Sequence, residues 1–122
     1  PSATVYEDEM FRVILDLGPA SKGHALILPK AHYGNLYEID EETAASAMKL
    51  ARKMAIAMTK ALGCSGFNVV QNNGTSAGQT VFHFHIHLIP RYDNDNVGLS
   101  WKPGELTDEA RDEIVTEVKK QL

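Results

Sequence analysis

The spacing of apolar and polar positions changes several times along the 122-residue chain, and each change marks an element. "VYEDE" (5–9) and "FRVILDL" (11–17) are short runs rich in β-branched and aromatic residues, and they predict two strands. "GPASKG" (18–23) supplies two glycines and a proline for a loop, and "HALILP" (24–29) predicts a third strand closed by Pro29. The period then shifts to three and four. Ala44, Ala47, Met48, Ala51, Met54, Ala55, Met58, Ala61 and Leu62 fall on one helical face, with Asp40 as N-cap, Glu41 and Glu42 in the first turn, and Gly63 as C-cap. This Met-rich stripe reads as core or dimer packing.

"GFNVVQ" (66–71) predicts another strand, and "NNGTSAGQ" (72–79) a loop. A run from 83 to Pro90 predicts the next strand, and Thr107 caps a last helix that runs to the chain end. Strands outnumber helices without regular alternation, which predicts an antiparallel α+β fold in a single domain spanning 1–122.

Three of the five histidines lie in "HFHIHLI" (83–89). Side chains on a strand alternate faces, so His83, His85 and His87 share one face, while Phe84, Ile86 and Leu88 point to the other and pack on the long helix. A lone histidine there would be an ordinary satisfied polar residue. Three in a row point to shared chemistry, because each buried imidazole needs its own partner. Metal binding competes, but His83 and His87 lie about 13 Å apart on a regular strand, too far to close around one zinc ion. Catalysis uses all three. A neutral imidazole held protonated at one nitrogen is a nucleophile at the other, and its neighbours orient it or stabilise developing negative charge, as at an anionic phosphorus. The Gly/Asn/Ser loop before the row offers backbone amides and the side-chain donors Asn72, Gln79 and Thr80.

Composition narrows the class. Hydrophobic residues at 43% and charged residues at 23% fit a globular domain rather than a disordered chain. A net charge of -4 with no basic stripe argues against nucleic acid as partner. Cys64 alone makes no internal disulfide and no structural zinc site. No apolar run approaches the ~20 residues of a membrane helix, so the cytoplasm is the expected location.

"AGQTVFHFHIHLIPR" (77–91) resembles the histidine triad family, whose hallmark of three alternate histidines followed by apolar residues is matched from His83 to Ile89. "FRVILDLGPASKGHALILPKAH" is similar to the family's N-terminal half, and "SWKPGELTDE" to the tail of bacterial members, so the resemblance covers nearly the whole chain. It implies a five-stranded antiparallel sheet with a long helix and a C-terminal helix, and a two-fold homodimer paired through the long helix and a strand. It also implies a site for a purine nucleotide of AMP or GMP type, and transfer of a nucleoside monophosphate through a phosphohistidine bond.

By motif position, His85 attacks the α-phosphorus, His87 contacts the phosphate and scissile bond, and His83 and His24 form the supporting network. Asp16 holds ribose hydroxyls with Leu17 beside the base. Asn72, Gln79 and Thr80 line the phosphate end, Thr80 nearest the leaving group. No cofactor is implied. Metal is not carried over, because the cysteines that help bind zinc in many bacterial members are missing. Asn72 and the tail favour the phosphoramidase-like branch, whereas Thr80 stands where that branch often has Ser. A dinucleoside polyphosphate hydrolase and a non-catalytic nucleotide-binding module are the alternative readings. His24 reads equally well as a structural residue, His32 as a local cap, and Trp101 as core packing or as a neighbour of the partner's site.

Overall fold

The computed structural model describes residues 3–122. Five strands form one antiparallel sheet in the order β1-β2-β3-β5-β4: β1 (Thr4–Glu7), β2 (Phe11–Leu15), β3 (Ala25–Pro29), β4 (Gly66–Val70) and β5 (Ile86–Arg91). Helix α1 (Glu41–Leu62) joins β3 to β4, and α2 (Asp108–Lys119) ends the chain. The antiparallel α+β architecture is the expected one.

The caps of α1 act as their chemistry dictates. The Asp40 carboxylate accepts from the Thr43 amide at 3.0 Å, and Gly63 adopts the left-handed conformation (φ 66°), its N–H donating to the Thr59 carbonyl. Thr107 caps α2 in the same way, its hydroxyl accepting from the Ala110 amide.

The core lies between one sheet face and α1. Phe11, Val13, Ala25, Ile27, Ile86 and Leu88 alternate inward from the three central strands and meet Ala47, Leu50, Ala51, Met54 and Met58. Burying each large side chain contributes roughly 1.5–3 kcal/mol. The helix face differs from the expected stripe. Leu50 is buried, whereas Met48 is 59% exposed and Ala61 is also exposed. Met48 instead lines an open apolar groove with Ala45, Ala51, Ala55 and Val69, beside the unpaired edge of β4. No helix among the described residues is long and apolar enough to cross a membrane.

The largest correction concerns the histidine run. The expected strand over 83–90 begins only at Ile86 and extends to Arg91. Pairing of β5 with β3 stops at Ile27↔Ile86, and β3 then ends on Pro29, which has no N–H to offer a ladder. The chain before Ile86 therefore peels away and bonds to the connector that follows β3. The Phe84 amide donates to the Tyr33 carbonyl at 2.6 Å. Alternation survives the peel, with Phe84 buried between half-buried His83 and His85.

Gly23 occupies φ +91°, and a Cβ there would overlap Leu62 Cδ1 at the end of α1. Gly23→Ala should destabilise the protein by about 2–3 kcal/mol, combining left-handed strain with overpacking. Urea unfolding checks this, and an unchanged midpoint would show that the turn relaxes freely.

Candidate active site

The site sits on the sheet face opposite α1. Asp16 follows β2 and His24 precedes β3, and the Asp16 amide donates to the His24 carbonyl at 2.9 Å across the intervening loop. The Gly18 amide fixes Asp16 Oδ1 at 2.8 Å. His87 lies within β5, opposite Leu26 of β3 and Val70 of β4, which brings it beside His24.

Hydrogen bonds to groups of fixed polarity assign the proton on every ring. The Ala20 backbone N–H donates to His24 Nδ1 at 2.9 Å, so the neutral ring carries its proton on Nε2. That proton is donated to His87 Nδ1 at 3.0 Å, which leaves the His87 proton on Nε2. His85 is the reverse. Its Nδ1 lies 2.8 Å from the His83 carbonyl, which only accepts, so Nδ1 is protonated and Nε2 holds the lone pair. His83 donates from Nε2 to the Pro29 carbonyl at 3.1 Å, and its Nδ1 accepts from His32 Nδ1–H at 2.8 Å. The His85 and His87 rings meet edge to face with centroids 4.9 Å apart. A free lone pair thus stands next to a ring that presents an N–H.

All five histidines are therefore linked, and His32 is the residue that sequence reasoning missed. Expected as a local cap, it bonds instead to His83, 51 positions away. His24 is 5% exposed and belongs to the site rather than to packing alone. Trp101 is 84% exposed and is not part of the core.

The loop over 72–80 differs from the expected ring of free donors. A 3-10 turn (Thr75–Ala77) is closed by amides of Ala77, Gly78 and Gln79 donating within the loop. Gln79 is buried and fully engaged. Its Nε2 donates to the Gly34 and Val81 carbonyls at 2.8 and 3.2 Å, and its Oε1 accepts from the Gly74 amide. Gln79 therefore staples the loop to the β3–α1 connector. The Thr80 side chain is exposed, and Leu17, beside Asp16, is 80% exposed.

The model of the HIT domain matches residues 1–94, the stretch that carries all of these groups. The chain belongs to the HIT family. It is 41% identical over 119 residues to an uncharacterised HIT-like protein of Methanocaldococcus jannaschii, covering 98% of this chain and 90% of that one. It is 38% identical over 102 residues to the adenosine 5'-monophosphoramidase of Schizosaccharomyces pombe, covering 83% and 74%. The crystal structure of a HIT family member from Bacillus subtilis superimposes with a TM-score of 0.93 at 39% identity, covering 100% of this chain and 89% of that one.

Two of the HIT histidines, His24 and His87, are held toward the neutral form by their surroundings. Burial lowers the His24 pKa against the opposing pull of Asp16. Burial, then the neighbouring His85 and His24, lowers that of His87, again against Asp16. Asp16, His24 and His87 also bring one oxygen and two nitrogens within 4.8 Å of one another, the outline of a cation site. The donor chemistry does not fit. His24 Nδ1 already accepts from Ala20 N–H, so a neutral His24 has a proton, not a lone pair, on the nitrogen facing the cluster. Two lone-pair donors remain where zinc takes at least three.

Both rings have pKa values below the ordinary imidazole value of about 6.5, so below that pH the unfolded chain binds more protons than the folded one. Stability should therefore fall as pH drops from 7.5 to 5.5, read as a lower urea midpoint. The difference should shrink in His87→Phe; an equal drop in that variant would assign the effect to other groups.

Proposed function

We propose that the chain is a nucleotidyl hydrolase that cleaves nucleoside phosphoramidates at the α-phosphorus through a nucleotidyl-His85 intermediate. The observation that carries this reading is the pair of opposite tautomers, a lone pair on His85 Nε2 beside an N–H on His87 Nε2. His85 Nε2 bonds to phosphorus as the phosphorus–nitrogen bond breaks. The leaving nitrogen keeps the electron pair and takes a proton from solvent. Water then attacks the same phosphorus, loses a proton to solvent, and releases the nucleoside monophosphate and neutral His85.

His87 acts as a hydrogen-bond donor to the phosphoryl oxygens and the breaking bond. It does not give up its proton, since a neutral ring that did so would become an imidazolate. Positive charge that builds on His85 is met by the His83 carbonyl at Nδ1–H, 2.8 Å away. Asp16 is suited to ribose hydroxyls, exposed Leu17 to the face of a purine, and Asn72 and exposed Thr80 to the phosphate and leaving group. Gln79 contributes by holding the loop, and His24 by fixing the His87 tautomer. The adenosine 5'-monophosphoramidase of S. pombe supports this substrate class over dinucleoside polyphosphates. A nucleotide substrate is consistent with work in the cytoplasm.

The same reading includes a homodimer. The apolar groove of Met48, Ala55 and Val69 beside the open β4 edge suits a second copy, whose burial would cover surface that water otherwise meets.

His85→Ala should lower kcat on an adenosine phosphoramidate by at least about a thousandfold while leaving AMP affinity within about threefold. Mass spectrometry after rapid quench in alkali, where a phosphorus–nitrogen bond to histidine survives, should find the nucleotidyl group on His85; turnover at the parental rate in the variant defeats the assignment. Met48→Asp should halve the mass seen by light scattering, and a dimer of undiminished stability would move the interface elsewhere.

A further inference from the structure

The His24–His87 bond joins a loop to a strand at a point where the sheet gives out. Pairing of β3 with β5 runs from Ile27↔Ile86 to Ala25↔Leu88, so His24 and the loop before it lie beyond the last paired residue. Two side chains carry the seam onward. The Ser21 hydroxyl donates to the Pro90 carbonyl at 2.5 Å, and the Tyr92 hydroxyl donates to the Lys22 carbonyl at 2.7 Å. Within the loop, Ala20 N–H donates to His24 Nδ1 at 2.9 Å, and the His24 amide donates to the Ser21 carbonyl at 3.1 Å. Residues 20–24 therefore close on themselves, and the closed turn is pinned at 21 and 22 to the strand that carries His87 and to the residue after it.

We propose that Ser21 and Tyr92 are positioning residues for the His24–His87 pair, holding the Ala20 N–H against His24 Nδ1. The His24 ring stands between two fixtures, that N–H on one nitrogen and His87 Nδ1 on the other. Both are referred to β5, the first through Ser21 and Pro90, the second because His87 belongs to the strand. Without the Ser21 hydroxyl only the Tyr92 tether remains, and the Ala20 amide can turn away. His24 Nδ1 is then free to take the proton. In that tautomer His24 Nε2 is an acceptor, so His87 Nδ1 must supply the hydrogen of their shared bond. His87 Nε2 is left with a lone pair where phosphoryl oxygens need a donor. The two rings thus change tautomer as one unit. Asp16 Oδ2, 3.6 Å from His24 Nε2, still favours a proton there, so the change is partial. This inference rests on the enzymatic reading only for its effect on rate; its effect on the two tautomers stands apart.

The test compares Ser21→Ala and Ser21→Thr with the parent, the threonine keeping the hydroxyl. Ring nitrogen-15 NMR is recorded at about pH 8, well above the ordinary imidazole value of about 6.5. His24 and His87 should each be a single Nε2–H tautomer in the parent and in Ser21→Thr. In Ser21→Ala both should become mixtures together, while His85, oriented by the His83 carbonyl, stays Nδ1–H. With an adenosine phosphoramidate, kcat should fall about tenfold in Ser21→Ala with KM within about twofold, and Ser21→Thr should recover to within about threefold of the parent. Melting temperatures should agree within about 5 °C. Should Ser21→Ala fail to fold, Tyr92→Phe removes the other tether and is read in the same way.

Single Nε2–H tautomers at both rings in the Ala variant overturn the inference, whatever the rate does. A mixture at His24 with His87 unmoved also overturns it, since the pair would not then respond as a unit. If the parent shows no turnover at all, the enzymatic reading fails, and the tautomer measurement alone decides the role of Ser21.

Discussion

The backbone N–H of Ala20, aimed at His24 Nδ1, is the constraint from which the site's protonation follows. A proton on that nitrogen would set N–H against N–H, so the ring must carry it on the far side and pass it to His87. On the other flank a backbone acceptor, the His83 carbonyl, imposes the reverse choice on His85. One main-chain donor and one main-chain acceptor thus give adjacent rings opposite roles. The His85 assignment needs no side chain other than its own, whereas that of His87 is passed on through the His24 ring. The loop that carries Ala20 is set by Gly23 and by the bond between Asp16 and His24, so the turn after β2 helps fix the tautomers of the two rings beyond it.

Burial makes the arrangement durable. Desolvation holds His24 and His87 neutral although Asp16 would favour the charged forms. An anionic phosphate would then meet directed N–H groups in place of fixed cations. In a chain of net charge -4, attraction at a distance is weak, and recognition falls to short-range bonds inside the cleft.

Much of this was legible in the sequence where the physics is local. Caps at Asp40, Gly63 and Thr107, strand runs and the alternation of Phe84, Ile86 and Leu88 all follow from neighbours a few positions apart. What failed was non-local. The early departure of 83–85 from the sheet depends on Pro29, more than fifty residues upstream, meeting the run at its end. Met48 shares the helical period of the buried residues, but it falls beside the outer strand β4, where it lines an open groove with Val69. Gln79 has the composition of a free donor, yet its amide is satisfied by Gly34 and Gly74, contacts that no spacing announces. His32 carried no signal beyond being a fifth histidine.

The Gln79 staple has a further consequence. By joining Gly34 of the β3–α1 connector to Gly74 of the 72–80 loop, it braces two connecting segments against each other. Conformational freedom in this region is surrendered when the chain folds, so an incoming molecule need not impose order on it. A molecule entering there would meet a contour already set by those bonds.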